Sequence, residues 1–181
     1  MGDFQMWLFN TLRSTTLVSS FMHSRWGWPT CETLHFLGLS LLVGTIGVFD
    51  LRLLGIGTRI PIAALHRMVP WALLGFGVNM VTGSMFLATE PGQYIFNPSF
   101  QFKMLFLALA GLNAGAFYLN AFRRVTALGP GEDTPVAAKV AGAASLTLWI
   151  GVIVCGRMLT FFRPGFCHGP TAFVLTCFPG K

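Results

Sequence analysis

Charge is what this sequence lacks most. Six acidic and twelve basic side chains among 181 residues leave 10% charged, where a soluble domain carries roughly 25%, and that shortage excludes an ordinary water-soluble fold. No Gly-rich phosphate loop and no Cys-x-x-Cys pair occurs, which removes the nucleotide-binding and zinc-ribbon classes. No nucleophile stands beside a base and no two carboxylates fall at catalytic spacing, so a self-contained enzyme is not expected. The net charge of +6 sits beside apolar runs, where anionic lipid headgroups account for it, and no nucleic-acid partner is expected. A cleaved signal peptide is not expected either, because no basic stretch precedes a compact apolar core with a small-residue cleavage site.

What is present is hydrocarbon. Apolar side chains make up 54% of the chain and gather into long runs rather than at soluble-core spacing. Lipid offers no partners to backbone N–H and C=O groups, so a spanning segment must be a helix of about 20 mostly apolar residues. Four runs qualify, near residues 34–56, 68–88, 104–122 and 140–162. Pro70 falls in the first turn of the second, where its missing N–H costs little; Glu90-Pro-Gly-Gln and Asn97-Pro98 read as breakers, and 129–135 as a polar loop. Phe4, Trp7, Leu8 and Leu12 share a helical face in a stretch interrupted by Asn10, Arg13 and several Ser and Thr, which predicts an amphipathic helix lying in the headgroup region. The expected fold is therefore all-α: an integral membrane four-helix bundle (31–162) with an N-terminal interfacial amphipathic segment (1–30) and a C-terminal tail (163–181).

Lys and Arg flank the loops after the first and third runs, at Arg52, Arg59, Arg67, Arg123, Arg124 and Lys139, and are missing from 89–102. By the positive-inside rule the first and third loops face the cytoplasm of a bacterial-type inner membrane, with both termini periplasmic. Cys31, Cys167 and Cys177 then fall on the oxidising side, with Cys167 to Cys177 the expected disulfide and free, merely apolar thiols the alternative. Trp26, Trp28 and Trp71 read as interfacial anchors, and Trp149 as bundle packing.

Polar residues at membrane depth are the candidates for function. Asn79 and Asn113 fall near the midplane and could pair; Asp50 is expected to pair with a nearby arginine; Gly111-Leu-Asn-Ala-Gly115 and Ser40 with Gly44 are small-xxx-small patterns that allow close helix approach. Glu32 and His35 share a face at the start of the first helix, Lys103 opens the third at the same depth, and Arg157 lies about 27 Å along the fourth at 1.5 Å per residue. With Met85 and Met158 near that level, Glu32, His35, Lys103, Arg157 and Met85 form a candidate site for haem b or a quinone; snorkelling to the headgroups is the alternative. His66, by contrast, falls at the inner end as a solvated residue, nearly a hydrocarbon thickness of about 30 Å from His35. A metal or haem iron on His35 would thus need His23, His168 or a thioether from Met85 or Met158 as its second ligand.

The stretches Trp28-Pro-Thr-Cys-Glu32-Thr-Leu-His35 through Gly44 and Phe49-Asp-Leu-Arg-Leu-Leu-Gly55 carry a resemblance. With Pro70-Trp71, Thr82-Gly83, Asn97-Pro-Ser-Phe100, Lys103, Asn113 and Gly156-Arg157, the chain resembles a family of small bacterial four-span membrane proteins classified as a domain of unknown function. The resemblance covers residues 20 to 162 and implies four spans with an amphipathic lead-in; it implies no activity, and the tail from Arg163 lies outside it. The function expected is a non-enzymatic, redox-linked membrane subunit for electron transport, bound to membrane lipids and to other subunits. A structural accessory subunit on the periphery of a larger complex is the alternative, and a copper or small-solute permease through Asn79 and Asn113 a third.

Overall fold

The structure, a computed structural model, describes residues 2–13, 16–129 and 131–161. Among them every regular element is an α-helix: α1 (Gly2–Arg13), α2 (Thr16–Met22), α3 (Gly27–Leu53), α4 (Ile62–His66), α5 (Val69–Thr89), α6 (Pro91–Ile95), α7 (Pro98–Asn120), α8 (Phe122–Thr126) and α9 (Val136–Met158). Four stretches are long and apolar enough to cross a membrane: α3, α4 with α5, α7, and α9. The all-α, four-span architecture is the one expected.

The helices begin earlier than their apolar runs because polar and proline residues serve as starts rather than breaks. Asn97 is the clearest case: its side-chain oxygen accepts the Ser99 N–H at 2.9 Å, and Pro98 fills the first helical position, where no N–H is needed. Lys103 therefore lies more than a turn inside α7 instead of opening it. In the same way Pro29 falls in the first turn of α3, so Cys31 and Glu32 are helical, and Pro91 opens α6. At the other end of α3, Gly55 adopts φ 94° and its N–H reaches the Arg52 carbonyl at 3.1 Å while the Ile56 N–H reaches Leu51 at 3.0 Å. This is a Schellman stop, which a residue with a Cβ would strain.

The described residues form two compact units. The first takes those within 1–36, 78–104 and 153–181, the second 37–77 and 105–152, so each draws on all four long helices. In the first, Met22, Cys31 and Phe86 form the core, with Val18, Trp28, Met85 and Tyr94 against it; α1 lies on α6, with Phe9 and Phe96 ring centroids 6.0 Å apart. The N-terminal helices are thus packed onto the protein. In the second, Leu53, Ile62, Phe117, Ala121, Val125 and Ala138 form the core.

Close helix approach occurs at glycines other than those of the small-xxx-small patterns. A Cβ on Gly75 of α5 would lie 2.6 Å from the Gly38 carbonyl of α3, and one on Gly142 of α9 would lie 3.0 Å from the Asp50 carbonyl, whereas Cβ atoms on Gly44, Gly111 and Gly115 would meet nothing within 4 Å. The surface is apolar: Leu73, Leu112 and Leu119 are exposed, Leu119 by 87%, while Thr45, Asp50, Arg52, Thr82, Asn97 and Thr134 are buried. An apolar exterior over buried polar side chains suits helices long and apolar enough to cross a membrane.

Candidate functional site

His35 is held by one hydroxyl. Its Nδ1 lies 2.7 Å from Thr82 Oγ1, and the Thr82 hydroxyl reaches back to the Val78 carbonyl at 2.7 Å. Only one hydrogen sits on that oxygen, and the carbonyl can only accept. The Thr82 hydrogen therefore goes to Val78, the His35 Nδ1–H donates to Thr82, and Nε2 keeps its lone pair. The ring stands edge-on to Phe86, with centroids 5.6 Å apart. One turn earlier on α3, the Cys31 thiol contacts the Thr82 carbonyl at 3.7 Å, so two α3 side chains hold one α5 residue. Thr82 was not singled out as a functional residue from the sequence; a lone threonine inside an apolar run, followed by Gly83, is the only signal it gives.

Lys103 is part of the same neighbourhood. Its ammonium would sit 3.7 Å from a Cβ on Gly156 of α9, and it lies within electrostatic reach of His35 and Cys155. A Cβ on Gly83 would be 3.7 Å from His35 Cε1, so a glycine stands beside each of the two polar groups. Glu32 is exposed and acts on Tyr94 instead: burial, then the carboxylates of Glu90 and Glu32 and the Cys31 thiol, push the Tyr94 phenol up to about 12.

The other expected members have contacts of their own. Arg157 is exposed and covers the Phe161 ring at 5.3 Å. Met85 packs on the Met22, Cys31 and Phe86 core. His23, exposed, turns its Nδ1 to the Ser19 carbonyl of its own turn at 2.7 Å. Among the described residues no three of His, Cys, Asp and Glu gather as a metal site, and Cys31 and Cys155 are free thiols. Cys167, Cys177 and His168 lie outside the described residues.

Two further expectations change in the second unit, those for His66 and for Asp50 with Arg52. His66 is half-buried rather than solvated, its ring centroid 4.6 Å from that of Phe122 and 6.0 Å from that of Tyr118, because α4 carries it against α8. Asn113 gives its amide to the Ala141 carbonyl of α9 at 2.9 Å. Arg52, 2% exposed, does not pair with Asp50 but donates to the carbonyls of Ile60 at 2.9 Å, Thr58 at 3.1 Å and Glu132 at 3.2 Å. Loop carbonyls left open by the turns outbid the carboxylate, and Arg52 joins the loop after α3 to the loop before α9. Lys139 with Asp133, 2.6 Å apart, is the ion pair among the described residues; that hydrogen bond holds the exposed Asp133 carboxyl below its usual range.

These features define a four-span helical membrane protein with a fixed imidazole and an ammonium in its first unit. No protein family, curated protein or solved structure matches the chain.

Proposed function

We propose that the chain is a non-enzymatic, redox-linked subunit of a bacterial-type inner membrane that holds a quinone against His35 and Lys103. The observation that carries this reading is the hydrogen-bond relay through Thr82, which leaves His35 Nε2 as a lone-pair acceptor. An acceptor within electrostatic reach of an ammonium complements a ligand with a hydroxyl and a carbonyl oxygen on an apolar ring. The same Nε2 could ligate the iron of haem b, but the Lys103 ammonium within electrostatic reach is a donor that a quinone oxygen can accept, which favours the quinone. The basic residues beside the first and third loops support a periplasmic placement of this site and of both termini.

The test is the organic extract and the visible spectrum of the purified full-length protein in mild detergent. Quinone close to one per chain is expected, falling about tenfold or more in His35→Ala and less in Thr82→Val. A reduced Soret and α band lost in His35→Ala would put haem b in its place, and neither species in the wild-type protein would refute the reading. A second reading, an accessory subunit at the periphery of a larger complex, is favoured by α1, where Phe4 and Trp7 stack at 6.0 Å while exposed by 63% and 61%. It expects a partner that co-purifies from native lipid and is lost in Phe4→Ala with Trp7→Ala.

A further inference from the structure

The second unit holds a partly open cavity of about 280 Å³ lined chiefly from α3, α5, α7 and α9. Its wall is mostly hydrocarbon, with Phe76, Tyr118 and Trp149 among the rings, and carries no Lys, Arg or His. Its one formal charge is Asp50. That side chain is 4% exposed, shielded from lipid as well as from water, and it lines the cavity. The Ser145 side chain hydrogen-bonds the carboxyl group, yet Oδ2 has no hydrogen-bond partner. Arg52, the basic residue nearest in sequence, gives its Nε and Nη2 to loop carbonyls, and its Nη1, buried without a partner, makes no ion pair with Asp50.

A carboxylate withdrawn from water without a cation is strongly unfavourable, and its relief has to come from a positive charge or a proton. A divalent metal ion would ask for several strong ligands; of the oxygen-bearing side chains in this wall, Thr45, Asp50, Asn113, Tyr118 and Ser145, only Asp50 is a carboxylate, and no three of His, Cys, Asp and Glu gather among the described residues. An organic cation asks for one carboxylate and aromatic faces. The cavity's volume sits near the lower end of the roughly 300–1,000 Å³ of small-molecule sites, enough for a single ring bearing an amine.

We propose that this cavity is a binding site for a small lipophilic organic monocation, with the ammonium against Asp50 Oδ2 and the apolar body among Phe76, Trp149 and the surrounding aliphatic wall. The proposal is independent of the His35 reading, which concerns the other unit.

The test is calorimetric titration of the full-length protein in detergent, with protein-free micelles as blank, using benzyltrimethylammonium, whose charge cannot be shed as a proton. Its neutral carbon isostere, neopentylbenzene, is the comparison. The expected result is saturable binding of one cation per chain, about tenfold or more tighter than the isostere, with that preference abolished in Asp50→Asn. If the wild-type protein binds the cation no more tightly than the isostere, the proposal is overturned, and this comparison needs no variant. Unchanged cation affinity in a monodisperse Asp50→Asn protein overturns it equally, leaving the carboxyl group simply protonated.

Discussion

Arg52 shows how a single side chain in this protein can serve backbone rather than charge. Three carbonyls from two loops accept from it; in Arg52→Ala those of Ile60 and Glu132 lose this donor, while Thr58 keeps the Gly131 N–H at 2.9 Å. At about 1–3 kcal/mol for a buried unsatisfied group, the variant is expected to lose about 3 kcal/mol or more in reversible unfolding, and Arg52→Lys to recover little, since an ammonium cannot reproduce the planar fork. A loss below about 0.5 kcal/mol would show that the loops hold without it. Tyr94 makes a prediction about pH. With its phenol pushed up to about 12 in the folded state against about 10 unfolded, its contribution to stability is complete below about pH 10 and is lost as pH rises through 12. Unfolding at pH 11 relative to pH 9 should therefore be eased in the wild-type protein and less so in Tyr94→Phe. At this scale the sequence was only partly legible. His35 and Lys103 stood out because polar groups in apolar runs are rare, but Arg157 and Met85 were grouped with them by depth alone. Depth says nothing of azimuth: Arg157 lies over the Phe161 ring, while Met85 packs on Cys31 and Phe86, the latter edge-on to His35. Thr82 was passed over because a hydroxyl in a helix usually serves its own backbone; here it does so and accepts from His35 as well.

Among the helices, spacing of glycines proved a weaker guide than what faces them. Gly75→Ala is expected to cost about 1–3 kcal/mol, because its Cβ would press on the α3 backbone at 2.6 Å. Gly115→Ala, with nothing within 4 Å, is expected to be neutral or slightly stabilising through helix propensity. Equal effects at the two sites in thermal unfolding would contradict the packing of α5 on α3. Asn97→Ala removes the start of α7 and should cost about 1 kcal/mol. The four spans were legible because hydrophobic length is a demand of the bilayer itself. Their starts were less so, since Pro29, Pro91 and Pro98 can end one helix or begin the next, and only the position of the neighbouring cap decides.

For the whole molecule, the apolar exterior and buried polar residues accord with four helices long and apolar enough to cross a membrane, and the charge asymmetry of the loops supports the proposed orientation. In a cysteine-free background, Glu90→Cys should react with a membrane-impermeant thiol reagent applied to intact spheroplasts and Arg59→Cys only after lysis; the reverse pattern would invert the topology. The central claim concerns His35, whose proton is assigned to Nδ1 by the hydroxyl of Thr82. Nitrogen-15 NMR of the histidine-labelled protein tests it most directly. The account predicts a protonated, pyrrole-type Nδ1 and an unprotonated Nε2 that shifts when a quinone is added, with the tautomer no longer fixed in Thr82→Val. A proton found on Nε2, or a resonance indifferent to both changes, would contradict it.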